Sequence, residues 1–300
     1  MRKNFENALV IAQKEFADRL LSPRFIALLL ICTIILFSFS YRAGMGGRNV
    51  FGKGFLDVAQ IIALFLPMIG IAVGFDAIVK ERKLSSLNVL LTHPVFRDTV
   101  IAGKLLGSMA TLALVVGISV VVSVGTILVV TGVQVTAPEL SRVLIFMILT
   151  FLYISTFLGI GVLVSIFSKS TTDSLIYGIV IWINLVIVFS AIVIMVASIA
   201  TGQSYLELDD NQHVLDLNIK LQRFSPIHHY AETVTGHPSL SWGGVSVVRG
   251  NVGSSGIFDT GHTLEQWLWK YWTNLVVLIV TPIILFIVSL IIFLRRDITM

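Results

Sequence analysis

Leu105-Leu-Gly-Ser-Met-Ala-Thr-Leu-Ala-Leu-Val-Val-Gly-Ile-Ser-Val-Val-Val-Ser-Val-Gly-Thr-Ile-Leu-Val-Val130 contains no charged residue. The hydrocarbon of a bilayer is roughly 30 Å thick and a helix rises about 1.5 Å per residue, so about 20 apolar residues suffice to cross it. This stretch clears that length, and so do three other charge-free stretches: Val143–Phe167, Leu175–Ala200 and Leu275–Leu294. Two shorter apolar stretches, Phe25–Tyr41 and Val58–Phe75, have polar flanks. The sequence therefore predicts an all-α integral membrane protein with six transmembrane helices. Barrel strands alternate polar and apolar residues over about 10 positions, and these runs do not.

Composition agrees. Of the 300 residues, 56% are hydrophobic and 13% charged, whereas a soluble globule is nearer a quarter charged. Cys32 is the single cysteine, which excludes a disulfide scaffold and a multi-cysteine metal site. The net charge of +4 is too small to argue for nucleic acid, and no nucleic-acid partner is expected.

Placement of charge sets the orientation. Arg2, Lys3, Lys14, Arg19 and Arg24 precede the first span. Lys80, Arg82, Lys83, Arg97 and Lys104 lie between the second and third, Lys169 between the fourth and fifth, and Arg295 and Arg296 after the last. The short loops on the other side hold only Arg42, Arg48, Lys53 and Arg142. Basic residues favour the cytoplasmic side, so a multi-pass plasma-membrane protein with cytoplasmic N- and C-termini is expected. Acidic Glu6, Glu15 and Asp18 ahead of the first span argue for a retained helix, not a cleaved signal.

The predicted organisation has four parts. Residues 1–24 hold an N-terminal interfacial amphipathic helix, with Phe5, Leu9, Ala12, Phe16 and Leu20 on one face and Lys14, Glu15, Asp18 and Arg19 off it. Residues 25–200 hold spans one to five, with a cytoplasmic helix at about 80–97. Residues 201–273 form an extracellular segment, and residues 274–300 the sixth span and a cytoplasmic tail. Between spans two and three, Leu84, Leu87, Leu90 and Leu91 share a helical face after a charged run, and Pro94 stops or bends that helix.

The run Glu81-Arg82, Leu87, Leu90-Leu91, Pro94-Val95, Arg97, Gly103-Lys104 resembles the signature of permeases of the second ABC exporter class, the type V exporters. It departs from that pattern at Lys83, Ser85, Ser86 and Asn88, where the family has Glu, Gly, Thr and Glu. Lys14-Glu15-Phe16, Leu20 and Ser22-Pro23 are similar to the family's interfacial helix. Gly159-Ile-Gly161-Val-Leu-Val-Ser165 with Ser168-Lys-Ser170 is similar to its connection between helices four and five, and Phe293-Leu-Arg295-Arg296-Asp297 to its end.

The resemblance implies a dimeric permease, pairing with a second permease subunit that is the same chain, and two separate ABC ATPase subunits below it. ATP and Mg would be bound by those partners, with no cofactor and no catalytic residue in this chain. The stretch after span two would be a coupling helix seated in a groove of the ATPase, with Leu87, Leu90 and Leu91 as anchors, Glu81, Arg82 and Arg97 as a charged rim, and Pro94 at its end. Lys14, Glu15, Phe16 and Arg19 would belong to the interfacial helix.

Other motifs are weaker. Gly47-Arg-Asn-Val-Phe-Gly52-Lys53-Gly54 nearly matches a phosphate loop, but Gly54 replaces the Ser or Thr that holds Mg²⁺, and the topology puts it outside. It reads as a glycine-rich turn. His213, His228, His229, His237 and His262 crowd into 201–273, yet their spacings match no compact metal site, so they read as solvent-facing or structural. Ser225-Pro226 opens a short helix, a helix is expected near Leu206–Phe224, and strands around Val245–Arg249 would complete a small α(+β) cap that gates the exit or docks an outer partner. Trp267, Trp269, Tyr271 and Trp272 suggest an interfacial belt. Gly70 with Gly74, and Gly103 with Gly107, permit close helix packing within the subunit or across a dimer.

The spans carry no charged residue, and Asp76 is the one acidic residue directly adjoining a span at its cytoplasmic end. That suits amphipathic cargo better than ions and argues against an ATPase-independent carrier or intramembrane enzyme. A permease of an extracytoplasmic metal-loading system, of the nitrous-oxide-reductase maturation type, remains the other ABC reading.

Overall fold

The computed structural model describes residues 2–47, 51, 56–83, 97–202, 212–236 and 256–295. The side chains of 2–5, 56, 57, 81, 83, 97 and 212–215 are not described. Every element among the described residues is a helix: α1 (Arg2–Leu20), α2 (Pro23–Met45), α3 (Leu56–Gly74), α4 (Val79–Lys83), α5 (Arg97–Thr131), α6 (Ala137–Phe167), α7 (Thr171–Thr201), α8 (Gln212–Gln222), α9 (Pro226–Thr235) and α10 (Leu264–Arg295). The strands expected near Val245–Arg249 lie outside the described residues.

Five helices, α2, α5, α6, α7 and α10, are long and apolar enough to cross a membrane. The sixth apolar stretch forms the shorter α3. Each helix begins before the apolar run that announced it, and α3 stops at Gly74, one residue short of its run's end. α6 starts at Ala137, where the backbone N–H of Thr136 donates to Glu139 Oε2 at 2.7 Å, reciprocating the cap. α7 starts after Ser170, whose Oγ accepts from Asp173 N at 3.1 Å, and it ends on Gly202 at φ 68°. A single π-helical turn, Asn184–Val188, interrupts it.

Many polar residues inside the apolar helices bond helix backbones, as a medium without water favours, although the buried hydroxyls of Ser40 and Ser123 have no partner among the described residues. Ser108 and Thr111 of α5 donate to the carbonyls four residues back, at 2.8 and 2.9 Å. In α3, Pro67 has no N–H to return to the carbonyl of Ala63. Tyr153 of α6 fills that vacancy, donating its hydroxyl to Ala63 O at 2.9 Å. Trp182 of α7 donates to the next carbonyl, Leu64 O, at 3.2 Å.

The core lies between α3 and α6, with α5, α7 and α10 around them. α3 reaches α6 at two glycines. A Cβ on Gly70 would stand 2.8 Å from Ile154 O, and one on Gly74 would stand 2.8 Å from Leu158 O. No side chain fits at either position.

At the end where α6 begins, α9 is inserted into the bundle. Ser225 caps it, Pro226 occupies its first turn, and Gly236 at φ 76° closes it. Tyr230 is fully buried and stacks on Tyr153 at 4.4 Å with 10° between the rings. Its hydroxyl lies 2.9 Å from Thr150 Oγ1. Trp267 of α10 donates to Thr233 O at 3.0 Å. The expected aromatic belt therefore divides: Trp267 and Tyr271, four apart, bury against this insertion, while Trp269 and Trp272 face outward.

Candidate coupling site

The polar groups that the sequence singled out gather at the opposite end of the bundle, where α1, α3, α5 and the α6–α7 connection meet. Gly74 and Gly161 make this possible. A Cβ on Gly161 would lie 3.2 Å from Gly74 Cα, and one on Gly178 would lie 2.6 Å from Ile71 Cγ2. The end of α3 is thereby pressed onto both α6 and α7.

Residues 75–83 then leave α3 and run along the α6–α7 connection. Ser165 Oγ accepts from two backbone donors, Ile78 N and Val79 N, each at 3.0 Å. Ser174 Oγ donates to Phe75 O at 2.6 Å. Arg82 of α4 donates from its guanidinium to Ser168 O and reaches Ile166 O at 3.5 Å. The Glu81-Arg82 motif and the Gly159–Ser170 motif, far apart in sequence, are thus one contact.

The second root of the segment is α5. α1 lies along it, packed through small residues: a Cβ on Gly103 would be 2.7 Å from Ile11 Cβ, and one on Gly107 would be 2.7 Å from Ala12 O. Between those glycines Lys104, largely buried, pairs with Glu15. Arg19 lies 3.6 Å from Glu15 and 3.9 Å from Asp76, and donates to Val73 O. One chain of charges, Lys104–Glu15–Arg19–Asp76, therefore ties α5 through α1 to the end of α3. Attraction between partly buried ions exceeds that at a wet surface.

The packed face of α1 differs from the apolar stripe read in the sequence. Ala8 and Ala12 are buried, Ile11, Glu15 and Arg19 flank them, Phe16 and Leu20 are half-buried, and Leu9 is exposed. Close approach to Gly103 and Gly107 selects alanines over large side chains. Lys14 is exposed.

Of the other sequence-predicted site residues, Glu81 lies in α4 and Arg97 opens α5. Leu87, Leu90, Leu91 and Pro94 lie outside the described residues. Gly70 and Gly74 pack on α6, and Gly103 and Gly107 on α1, so both glycine pairs face partners within the chain. Sequence reading named Ser165 only within a family-like run, without this role, and missed Ser174. It also missed the joint role of Tyr153 and Tyr230, for which a proline inside an apolar run was the available signal.

Of the outer-segment histidines, His228 and His229 are buried and structural. His229 lies 2.8 Å from both Asn274 Oδ1 and Arg223 O. His228, 4% exposed, has Nε2 3.3 Å from Glu232 Oε2, off the direction of a hydrogen bond. Asn274 donates to Glu232 at 2.7 Å. Burial pushes the Glu232 carboxyl up, but His228, Asn274 and the charge of Arg223 outweigh it, and the group titrates below its ordinary value. His262 is exposed.

A helical bundle of membrane-spanning length, with a buried helix at one end and an ion-paired helix junction at the other, defines a multi-pass membrane protein. The chain matches the family described as ABC-2 family transporter protein over residues 9–298, and it belongs to that family. It is an ABC-2 type permease. It is 24% identical over 208 residues to the probable ABC transporter permease protein NosY of Stutzerimonas stutzeri, an alignment that covers 66% of this chain and 73% of the relative. It is 32% identical over 108 residues to the protein of the same description from Pseudomonas aeruginosa, covering 35% of this chain and 39% of the relative.

Proposed function

We propose that this chain is the transmembrane subunit of an ATP-driven exporter. It forms the translocation pathway as a dimer of identical chains and is worked by two separate ATPase subunits, which bind ATP and Mg. α3 is the second of six spans, the termini are cytoplasmic, and the coupling helix lies at about residues 80–97.

The observation that carries this reading is that both roots of 84–96 are fastened to different parts of the bundle. The entering root, 75–83, is held by Ser165, Ser174 and Arg82 on the α6–α7 connection. The leaving root, the start of α5, is held by Glu15 through Lys104 on α1. A displacement of the segment by closing ATPases reaches α6 and α7 by one route and α1 by the other. Packed interfaces pass such displacements on as rigid-body shifts. At the far end, α9 is held in the bundle by Tyr230 stacked on Tyr153, whose hydroxyl holds the proline-broken turn of α3.

The test is co-expression and reconstitution with a candidate ABC ATPase. Charge reversal by Glu81→Lys or Arg82→Glu is expected to abolish co-purification or to leave ATP hydrolysis running without transport. Normal assembly and transport by both variants would remove the assignment. Transport by the permease alone would support a carrier instead, and metal bound by the outer segment would support the metal-loading system.

A further inference from the structure

Beside the charge chain lies a cleft of about 650 Å³, walled by the α1–α2 junction, the end of α3 and the start of α7. Its size falls within the roughly 300–1,000 Å³ of small-ligand sites. Its walls change character at one level. The apolar run of α2 begins at Phe25, immediately after Arg24; that of α3 ends at Phe75, immediately before Asp76; and that of α7 begins at Leu175. Three apolar runs that start or stop around one cleft place it where hydrocarbon gives way to headgroups.

On the hydrocarbon side the cleft is lined by Phe25, Leu28 and Leu175, and on the polar side by Arg24 and Lys80. Asp76 also lines it, but its charge is met by Arg19 at 3.9 Å. Arg24 and Lys80 are exposed and have no side-chain partner among the described residues. Two cations are thus left facing the opening, with the hydroxyls of Ser22, Thr171 and Thr172 beside them.

We propose that this cleft binds one anionic phospholipid of the adjoining leaflet. Its phosphate lies between Arg24 and Lys80, and an acyl chain runs along Phe25, Leu28 and Leu175. An amphiphile is the occupant because the apolar wall and the cation pair lie in the order that a lipid presents its own parts to the bilayer. An anion is favoured because two cations without a partner among the described residues flank the mouth. The bound lipid spans α2, α3 and α7 beside the root of 75–83, and so joins the elements that the proposed coupling step moves. The site rests on the reading of this end as the cytoplasmic one only for the leaflet it names.

The test is native mass spectrometry of the full chain released from nanodiscs of equal phosphatidylglycerol and phosphatidylcholine. The wild type is expected to retain one phosphatidylglycerol in preference. The double variant Arg24→Gln/Lys80→Gln is expected to lose that preference by roughly thirtyfold, at about fivefold for each cation near the surface. The charge-keeping swap Arg24→Lys/Lys80→Arg is expected to retain it. Millimolar inorganic phosphate is expected to leave the bound lipid in place. Equal preference in wild type and the glutamine variant, loss of preference in the charge-keeping swap, or displacement of the lipid by phosphate alone would each overturn the proposal. No transport or ATPase activity is read, so failure here is separable from failure of the exporter reading.

Discussion

Replacing Ser165 by Ala removes one oxygen and orphans two buried backbone donors. Ser165 is fully buried, and its Oγ is the acceptor for Ile78 N and Val79 N at 3.0 Å each. An unsatisfied buried donor costs about 1–3 kcal/mol, so a full loss would be roughly 2–6 kcal/mol. Water entering from the open end recovers part of this, leaving ~2 kcal/mol, or roughly a thirtyfold rise in local opening. Hydrogen–deuterium exchange on the peptide covering 75–83, in nanodiscs, reads that opening directly. The control is Ser155→Ala, because Ser155 Oγ donates to Phe151 O at 2.7 Å on its own helix and its loss orphans no donor. We expect faster exchange across 75–83 in Ser165→Ala and none in the control. Exchange within twofold of wild type in Ser165→Ala would refute the claim that Ser165 fastens this root.

Other consequences follow from the same contacts. Tyr153→Phe keeps the ring but leaves Ala63 O without the donor that compensates for Pro67; a loss of about 1–3 kcal/mol in stability is expected, read by thermal unfolding in detergent. Tyr230→Ala empties a fully buried site, with an expected cost of about 3–5 kcal/mol, and proteolysis in α9 should rise with it. Gly107→Leu puts a side chain where a Cβ already stands 2.7 Å from Ala12 O; α1 should detach from α5, and a disulfide engineered between those helices should fail to form. The Glu232 carboxyl titrates below its ordinary 4.5, so the stability it contributes is present above about pH 4.5 and is lost as pH falls through the folded value. Thermal scans should show wild type losing its margin over Glu232→Gln on acidification, and parallel curves would contradict this.

Much of this architecture is legible in the amino acids because lipid burial is written in composition. A charge-free run such as Val143–Phe167 has no alternative solvent, and its helix follows from the need to satisfy every backbone group internally. The glycine pairs were legible as places of close approach, though their partners were not: nothing in Gly103 or Gly107 names α1. The face of α1 was misread for a related reason. The stripe of Phe5, Leu9, Ala12, Phe16 and Leu20 holds the larger apolar surface, but contact with a glycine-lined helix is made by Ala12 together with Ala8, which lies off that stripe. The roles of Ser165 and Ser174 were hidden because a serine in or beside an apolar run most often bonds its own helix, as Ser108 and Ser155 do. Only the crossing of α3 over α6 and α7 turns two of them outward to another segment's backbone.

The side of the membrane on which 84–96 lies, and what covers it there, tests the central claim most directly. A single cysteine, Ser86→Cys on a Cys32→Ser background, can be labelled with an impermeant maleimide in right-side-out and inside-out vesicles. The account predicts labelling only in inside-out vesicles, and protection from it once the ATPase subunits are bound. Labelling from the outer side, or labelling that bound ATPase leaves unchanged, would contradict it.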